Sequence, residues 1–305
     1  MAWEFQGLFD AIPSMGDDLL GNYWRVEDTD IKVGNMGYRT ATIKAGDRLE
    51  AETYPIYGRS MEKTLRAKKK LYNTPETQKA LNIYNAKRKI ILTLEANFKL
   101  YEDDMITLTY AKEPSSLKRC EMDARNFILR VKRFRKRNGL PEMKYVYGIG
   151  HDENQKLHIH VAMTGGIGIL DLVDLWGLGI VNGYLLQHYG KGMEGAANYI
   201  YKQNEKEKRK GNRFKYHMWR GSRNLVDPKE HKSDSKLSNR KVKILARGFE
   251  VDAKNILEKI YPGYTYVSHV VIYSDSVDGV YIKSVMRKKE ELCVRSRRSK
   301  KTSTP

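Results

Sequence analysis

The chain has 305 residues, with 56 Lys and Arg against 37 Asp and Glu, for a net charge of +19. A hydrophobic fraction of 40% and an aromatic fraction of 10% suit a folded chain and exclude a disordered one. The excess of cations points to a polyanionic partner, nucleic acid first, and two distant cysteines, Cys120 and Cys293, imply no disulfide framework and fit a reducing compartment.

The opening stretch "MAWEFQGLFDAIPSMGDDLL" lacks a basic start followed by an apolar run, so no secretory leader is expected. Residues 1–60 hold short strand-like pieces, "YRTATIKAG" and "AETYPIYG", to which the sequence assigns no role. From Ser60 the pattern turns helical and basic. "SMEKTLRAKKKLYN" reads as one helix, and "TPETQKALNIYNAKRKIILTLEANF" as another, with Thr74 as N-cap and Pro75 at its first position.

The period then changes. "DMITLTYAKEP" is rich in β-branched and aromatic residues and reads as a buried strand. In "SSLKRCEMDARNFILRVKRFRKRNG" the residues Leu117, Cys120, Ala124, Phe127, Ile128, Val131 and Phe134 form one helical stripe, and Gly139 ends it. "KYVYGIG" and "KLHIHVAM" are two strands joined by the turn "HDENQ", a hairpin by pattern. "GILDLVDLWG" and "MEGAANYIYKQNEKEKRK" read as helices. The apolar run around the first of these is broken by Asp171 and Asp174, so no membrane span is expected and the protein should be cytoplasmic. "DPKEHKSDSKLSNRK" reads as a polar linker, "YTYVSHVVIYSD" with "GVYIKSVMRKK" as a hairpin, and "RSRRSKKTSTP" as a basic tail. The order of elements implies an α+β fold built on a central, mainly antiparallel sheet with helices packed on it.

On a strand, His158 and His160 project to one face while Leu157, Ile159 and Val161 project to the other. Two imidazoles side by side can share a metal ion; the bland alternative is a pair on the wet face of an antiparallel sheet. A third ligand would come from "GIGHDENQ", with His151 first and Glu153 second. Mn²⁺ or Mg²⁺ suits such a set when phosphate oxygens and waters complete the shell, and three nitrogens equally suit zinc.

Downstream, "NYIYKQN" puts Tyr199 and Lys202 on one helical face and Tyr201 elsewhere. A tyrosine phenol ionises near pH ~10, so it needs a polarised phosphate and a neighbouring cation to act as a nucleophile. Beyond it, "KQNEKEKRKGNRFKYHMWRGSR" interleaves cations with Phe214, Tyr216 and Trp219, a pattern suited to single-stranded DNA. Arg213, Lys215, Trp219, Arg220 and Arg223 are the candidate contacts here. "LRVKRFRKRNG" supplies a second basic face with Lys132, Arg133 and Arg135.

The ordered set "ITLTY", His158-Ile159-His160 and Tyr199-Ile200-Tyr201-Lys202 resembles the HUH endonucleases, most closely the rolling-circle replication initiators of bacterial plasmids and phages; "GSRNL" at 221–225 is also similar to a segment of phage-type initiators. The resemblance implies an RRM-like HUH domain over 100–226, flanked by an N-terminal region with basic helices (1–99) and by a linker, hairpin and tail (227–305). It implies that His158 and His160 hold a divalent metal, that Tyr199 attacks a DNA phosphate and stays linked to the 5′ end, and that Lys202 assists. Gln203 stands where a second tyrosine of the two-tyrosine class would be. No G-x-x-x-x-G-K-[ST] occurs, so a separate host helicase is expected, with a polymerase to extend the freed 3′ end. Single-stranded or hairpin origin DNA in a bacterial cytoplasm is the implied setting. A single-tyrosine transposase and a non-catalytic nucleic-acid-binding protein are the alternatives.

Overall fold

The computed structural model describes residues 36–58, 75–151, 156–187, 192–209, 219–273 and 279–289. The helix expected over 60–73 and the basic tail lie outside them.

Ten strands and six helices follow in chain order. Strands β1 (Tyr38–Ala45) and β2 (Arg48–Pro55) precede helix α1 (Pro75–Asn97), strand β3 (Asp104–Thr109) and helix α2 (Leu117–Arg137). The hairpin β4 (Tyr145–His151) and β5 (Leu157–Met163) leads to α3 (Ile169–Trp176), β6 (Val181–Leu185) and α4 (Glu194–Arg209). The two-residue β7 (Arg220–Gly221), β8 (Glu230–Ser233), α5 (Asn239–Ala246), α6 (Glu250–Ile260), β9 (Tyr264–Tyr273) and β10 (Val280–Lys288) complete the described elements.

The strands form two antiparallel five-stranded sheets, so the α+β class holds, but with two sheets rather than one. The histidine sheet runs β6-β3-β5-β4-β7 and the flanking sheet β8-β1-β2-β10-β9. The N-terminal hairpin and the C-terminal hairpin, distant in sequence, thus share the flanking sheet. Its edge strand β8 lies inside the stretch expected to be a linker; that expectation is corrected by the pairing of Thr40 with Ser233 through Ile43 with Glu230. Polar side chains made it read as linker, yet an edge strand needs only its backbone to pair.

Alternation sorts the layers. Ile159 and Val161 of β5 pack with Ile106 and Leu108 of β3 against Phe127, Ile128 and Val131 of α2 and Trp176 of α3. Trp176 fixes that contact by donating Nε1–H to the Thr109 carbonyl at 2.8 Å. On the opposite face, Met105, Val146 and Ala162 pack against Ile90 and Leu94 of α1 and Ala197 and Ile200 of α4. The flanking sheet buries Leu49, Ala51, Ile282 and Met286 against α5 and α6. Its other face, Arg48, Glu50, Glu52, Lys283 and Arg287, meets α1 and the start of α4 through ion pairs.

Ser116 caps α2 as its side chain accepts the Arg119 N–H at 3.2 Å, and Gly139 follows the helix at φ 65°, the left-handed turn expected there.

Candidate active site

β5 is the central strand of its sheet, and all seven of its residues are buried. The histidine pair is therefore not on a wet sheet face: His158 is 6% exposed and His160 4%. Their rings meet edge to face with centroids 4.7 Å apart. The register pairs His160 with Thr107 on one side and with Gly148 on the other. Thr107 Oγ1 shares a hydrogen bond of 2.9 Å with His160 Nδ1.

The other ring nitrogen, His160 Nε2, is buried and makes no hydrogen bond among the described residues. Burial and the neighbouring His158 lower the His160 pKa to about 3. The ring is neutral, and with Nδ1–H given to Thr107 its Nε2 carries a free lone pair, the state a metal ligand needs.

Tyr199 comes to this pair from α4. Its ring centroid lies 5.5 Å from that of His160, and the residue is 56% exposed, so a polymer can reach it. Gly148 permits the approach: a Cβ there would stand 2.6 Å from the Ile200 carbonyl oxygen, so only glycine lets α4 lie this close to β4. Ala197 and Ile200 seat the helix in the core, and Tyr201 is buried at 1% with Lys87 over its ring at 5.4 Å. The two tyrosines of "YIYK" thus have opposite fates, one presented and one packed.

The start of α4 is held from the flanking sheet. Glu95 accepts the Met193 N–H at 3.1 Å and pairs with Arg287, while Arg48 reaches Glu194 at 2.8 Å. Gly192, at φ 82°, leaves room for the Arg287 guanidinium, which any Cβ would strike.

Among the other expected site residues, Glu153, Arg213 and Lys215 lie outside the described residues, as do the side chains of His151 and Lys202. The register pairs His151 with Leu157, one step from the Gly150–His158 and Gly148–His160 pairs. Among the described residues no three His, Cys, Asp or Glu gather as a metal set; two imidazoles with one unbonded nitrogen are what fits a divalent ion here.

The basic candidates divide. Trp219 packs, half-buried, beside the α1–α4 cluster. Arg220 pairs with Glu121 of α2 at 3.0 Å, Arg223 and Arg133 are exposed, and Lys132 sits 5.3 Å over the Tyr145 ring. Arg135 is a correction. It is 2% exposed, and its guanidinium donates to the carbonyls of Pro141, Thr164 and Gly165, so it is not available to DNA. Its place one turn after Val131 puts it on the buried stripe of α2. Thr107 and Gly148 are the site residues that sequence reasoning missed. Thr107 stands in the quoted "ITLTY", but its role depends on a register that a single sequence does not display.

Residues 103–219 match the family model of the replication-associated protein ORF2. No curated protein and no solved structure matches the chain. The matched stretch begins just before β3 and ends just before β7; it takes in the histidine pair and Tyr199 and leaves out the flanking sheet.

Proposed function

We propose that this chain is a replication initiator that nicks single-stranded origin DNA with Tyr199 and later rejoins the strands, in the manner of a single-tyrosine HUH endonuclease. The likeness of residues 103–219 to replication-associated proteins supports the biological setting. The observation that carries the chemistry is the meeting of an exposed tyrosine with a buried, neutral histidine pair, ring centroids 5.5 Å apart.

In this reading Tyr199 Oη forms a bond to the scissile phosphorus, the bond from phosphorus to the 3′ oxygen breaks, and the phenol proton leaves while the 3′ oxygen takes one up. The products are a 5′-phosphotyrosyl link and a free 3′-OH for a polymerase; rejoining is the reverse attack by a 3′-OH. His158 and His160 would hold a divalent ion, Mn²⁺ or Mg²⁺, whose chemistry there is to draw negative charge from the phosphate. Thr107 keeps the His160 ring oriented, and Lys202, three residues after Tyr199, is the cation assigned to the phosphate. With no phosphate-binding P-loop in the sequence, unwinding falls to a separate helicase.

The test is incubation of the full chain with labelled single-stranded DNA of randomised sequence, with Mn²⁺ and with EDTA. A metal-dependent band that survives denaturing electrophoresis is expected. Salt-sensitive binding with no such band in either condition would instead identify a non-catalytic DNA-binding protein.

A further inference from the structure

We infer that the exposed face of α2 is a docking surface for duplex DNA, on the side of the histidine sheet away from Tyr199. The inference deepens the DNA reading above and rests on it for the nature of the polyanion.

The helix exposes Lys118, Arg119, Arg125, Arg133, Lys136 and Arg137. Its carboxylates, Glu121 and Asp123, are buried at 8% and 4%. Both are already paired: Glu121 with Arg220 at 3.0 Å, and Asp123 with Arg119 at 3.0 Å. Lys118, Arg133, Lys136 and Arg137 make no ion pair among the described residues. The face is thus strongly positive with its acids turned inward, and it meets no other element of the described chain.

Position separates this surface from the nicking site. α2 packs through Phe127, Ile128 and Val131 on the Ile159 and Val161 side of β5, whereas His158 and His160 project to the side of Tyr199. A phosphate at Tyr199 and one at Lys136 lie on opposite faces of one sheet, so α2 meets a different stretch of nucleic acid from the one being cut.

The chemistry selects duplex backbone. Single-strand grooves pair their cations with exposed aromatics on which bases stack. The exposed face of α2 has no aromatic; Phe127 is buried and Phe134 half-buried. At ~1.5 Å per residue the helix is about 31 Å long, enough to follow roughly nine base pairs at ~3.4 Å each. A membrane surface is a poorer match. An interfacial helix needs a free apolar face, and that of α2 is consumed by the core, leaving only Met122 and Leu129 exposed, at 46% and 50%.

The experiment compares the wild-type chain with the triple variant Lys118→Gln, Arg133→Gln, Lys136→Gln, all exposed helix positions that glutamine suits. Fluorescence anisotropy over a salt series is run with a random-sequence duplex of about 20 base pairs and with a single strand of equal length; co-sedimentation is run with vesicles containing phosphatidylserine. The salt slope on duplex is expected to fall by about three, close to one per lost phosphate contact, with affinity down on the order of tenfold or more. The slope on single strand should fall by less. An unchanged duplex slope overturns the proposal. So does an equal fall on single strand, or loss of vesicle binding with duplex binding intact. Adduct formation by the wild-type chain is scored separately, so failure of the nicking reading and failure of the duplex surface are told apart.

Discussion

His160 sits between two influences that act on its protonation in one direction. Burial and the imidazole of His158 both disfavour the cation, and Thr107 takes up one ring nitrogen, leaving the other to face the site. If Thr107 orients a metal ligand, Thr107→Val, which keeps the shape and removes the hydroxyl, should weaken Mn²⁺ binding by about 10–100-fold while thermal stability changes little. Titration calorimetry with Mn²⁺ reads this, and an unchanged affinity would remove Thr107 from the site. At this scale the sequence was informative wherever alternation along one strand or spacing along one helix decides the matter. His158 and His160 share a face because they are two apart, and Tyr199 and Tyr201 diverge because a helix turns. Thr107 and Gly148 escaped because their roles come from partners in other strands and in α4, which a pattern within one segment does not carry.

The amphipathic helices α1 to α4 and the β4–β5 hairpin were legible from their periods. Three elements of the second half were not. β6 is an edge strand exposed over four of its five residues, so no alternation marks it. β8 looked like linker for want of apolar side chains, and α5 and α6 went unread although Val242, Leu245, Ala253 and Leu257 form their core. Between elements, the seating of α4 on β4 is the tightest requirement. Gly148→Ala puts a methyl against the Ile200 carbonyl, with 2.6 Å available. Such crowding costs ~1–3 kcal/mol when the backbone yields. Because the helix that yields carries Tyr199, adduct formation should fall well beyond what the loss of folded protein explains. Circular dichroism together with the adduct assay separates the two; equal losses in both would mean that the contact serves stability alone.

Across the whole molecule the two sheets are joined through the layer formed by α1 and the start of α4, apolar on the histidine side and ionic on the flanking side. Glu50 is the centre of the ionic side, at 1% exposure. Burial alone would raise its pKa, but Lys283, Arg88 and Arg48 outweigh burial and hold it down to about 2. A carboxyl depressed in the folded state stabilises in full above its unfolded pKa of about 4.5 and loses that contribution as the pH falls from there toward 2. Glu50→Gln leaves buried cations unpaired, a defect of ~3–5 kcal/mol near neutral pH. In urea unfolding across pH, the gap between wild type and variant should close between about pH 4.5 and 2; a gap independent of pH would contradict the ionic account. That hairpins from the two halves of the chain build one sheet beside the histidine sheet was not legible, since strand pairing over some 180 residues leaves no local mark, as between Ile43 and Glu230.

The central claim, that Tyr199 is the nucleophile, is tested most directly by mapping the covalent adduct. The full chain is reacted with randomised single-stranded DNA and Mn²⁺, digested with nuclease and protease, and sequenced by mass spectrometry. The account predicts the nucleotide on the peptide bearing Tyr199, and no adduct from Tyr199→Phe. An adduct on Tyr201 or on any other residue, or one that persists in Tyr199→Phe, would contradict it.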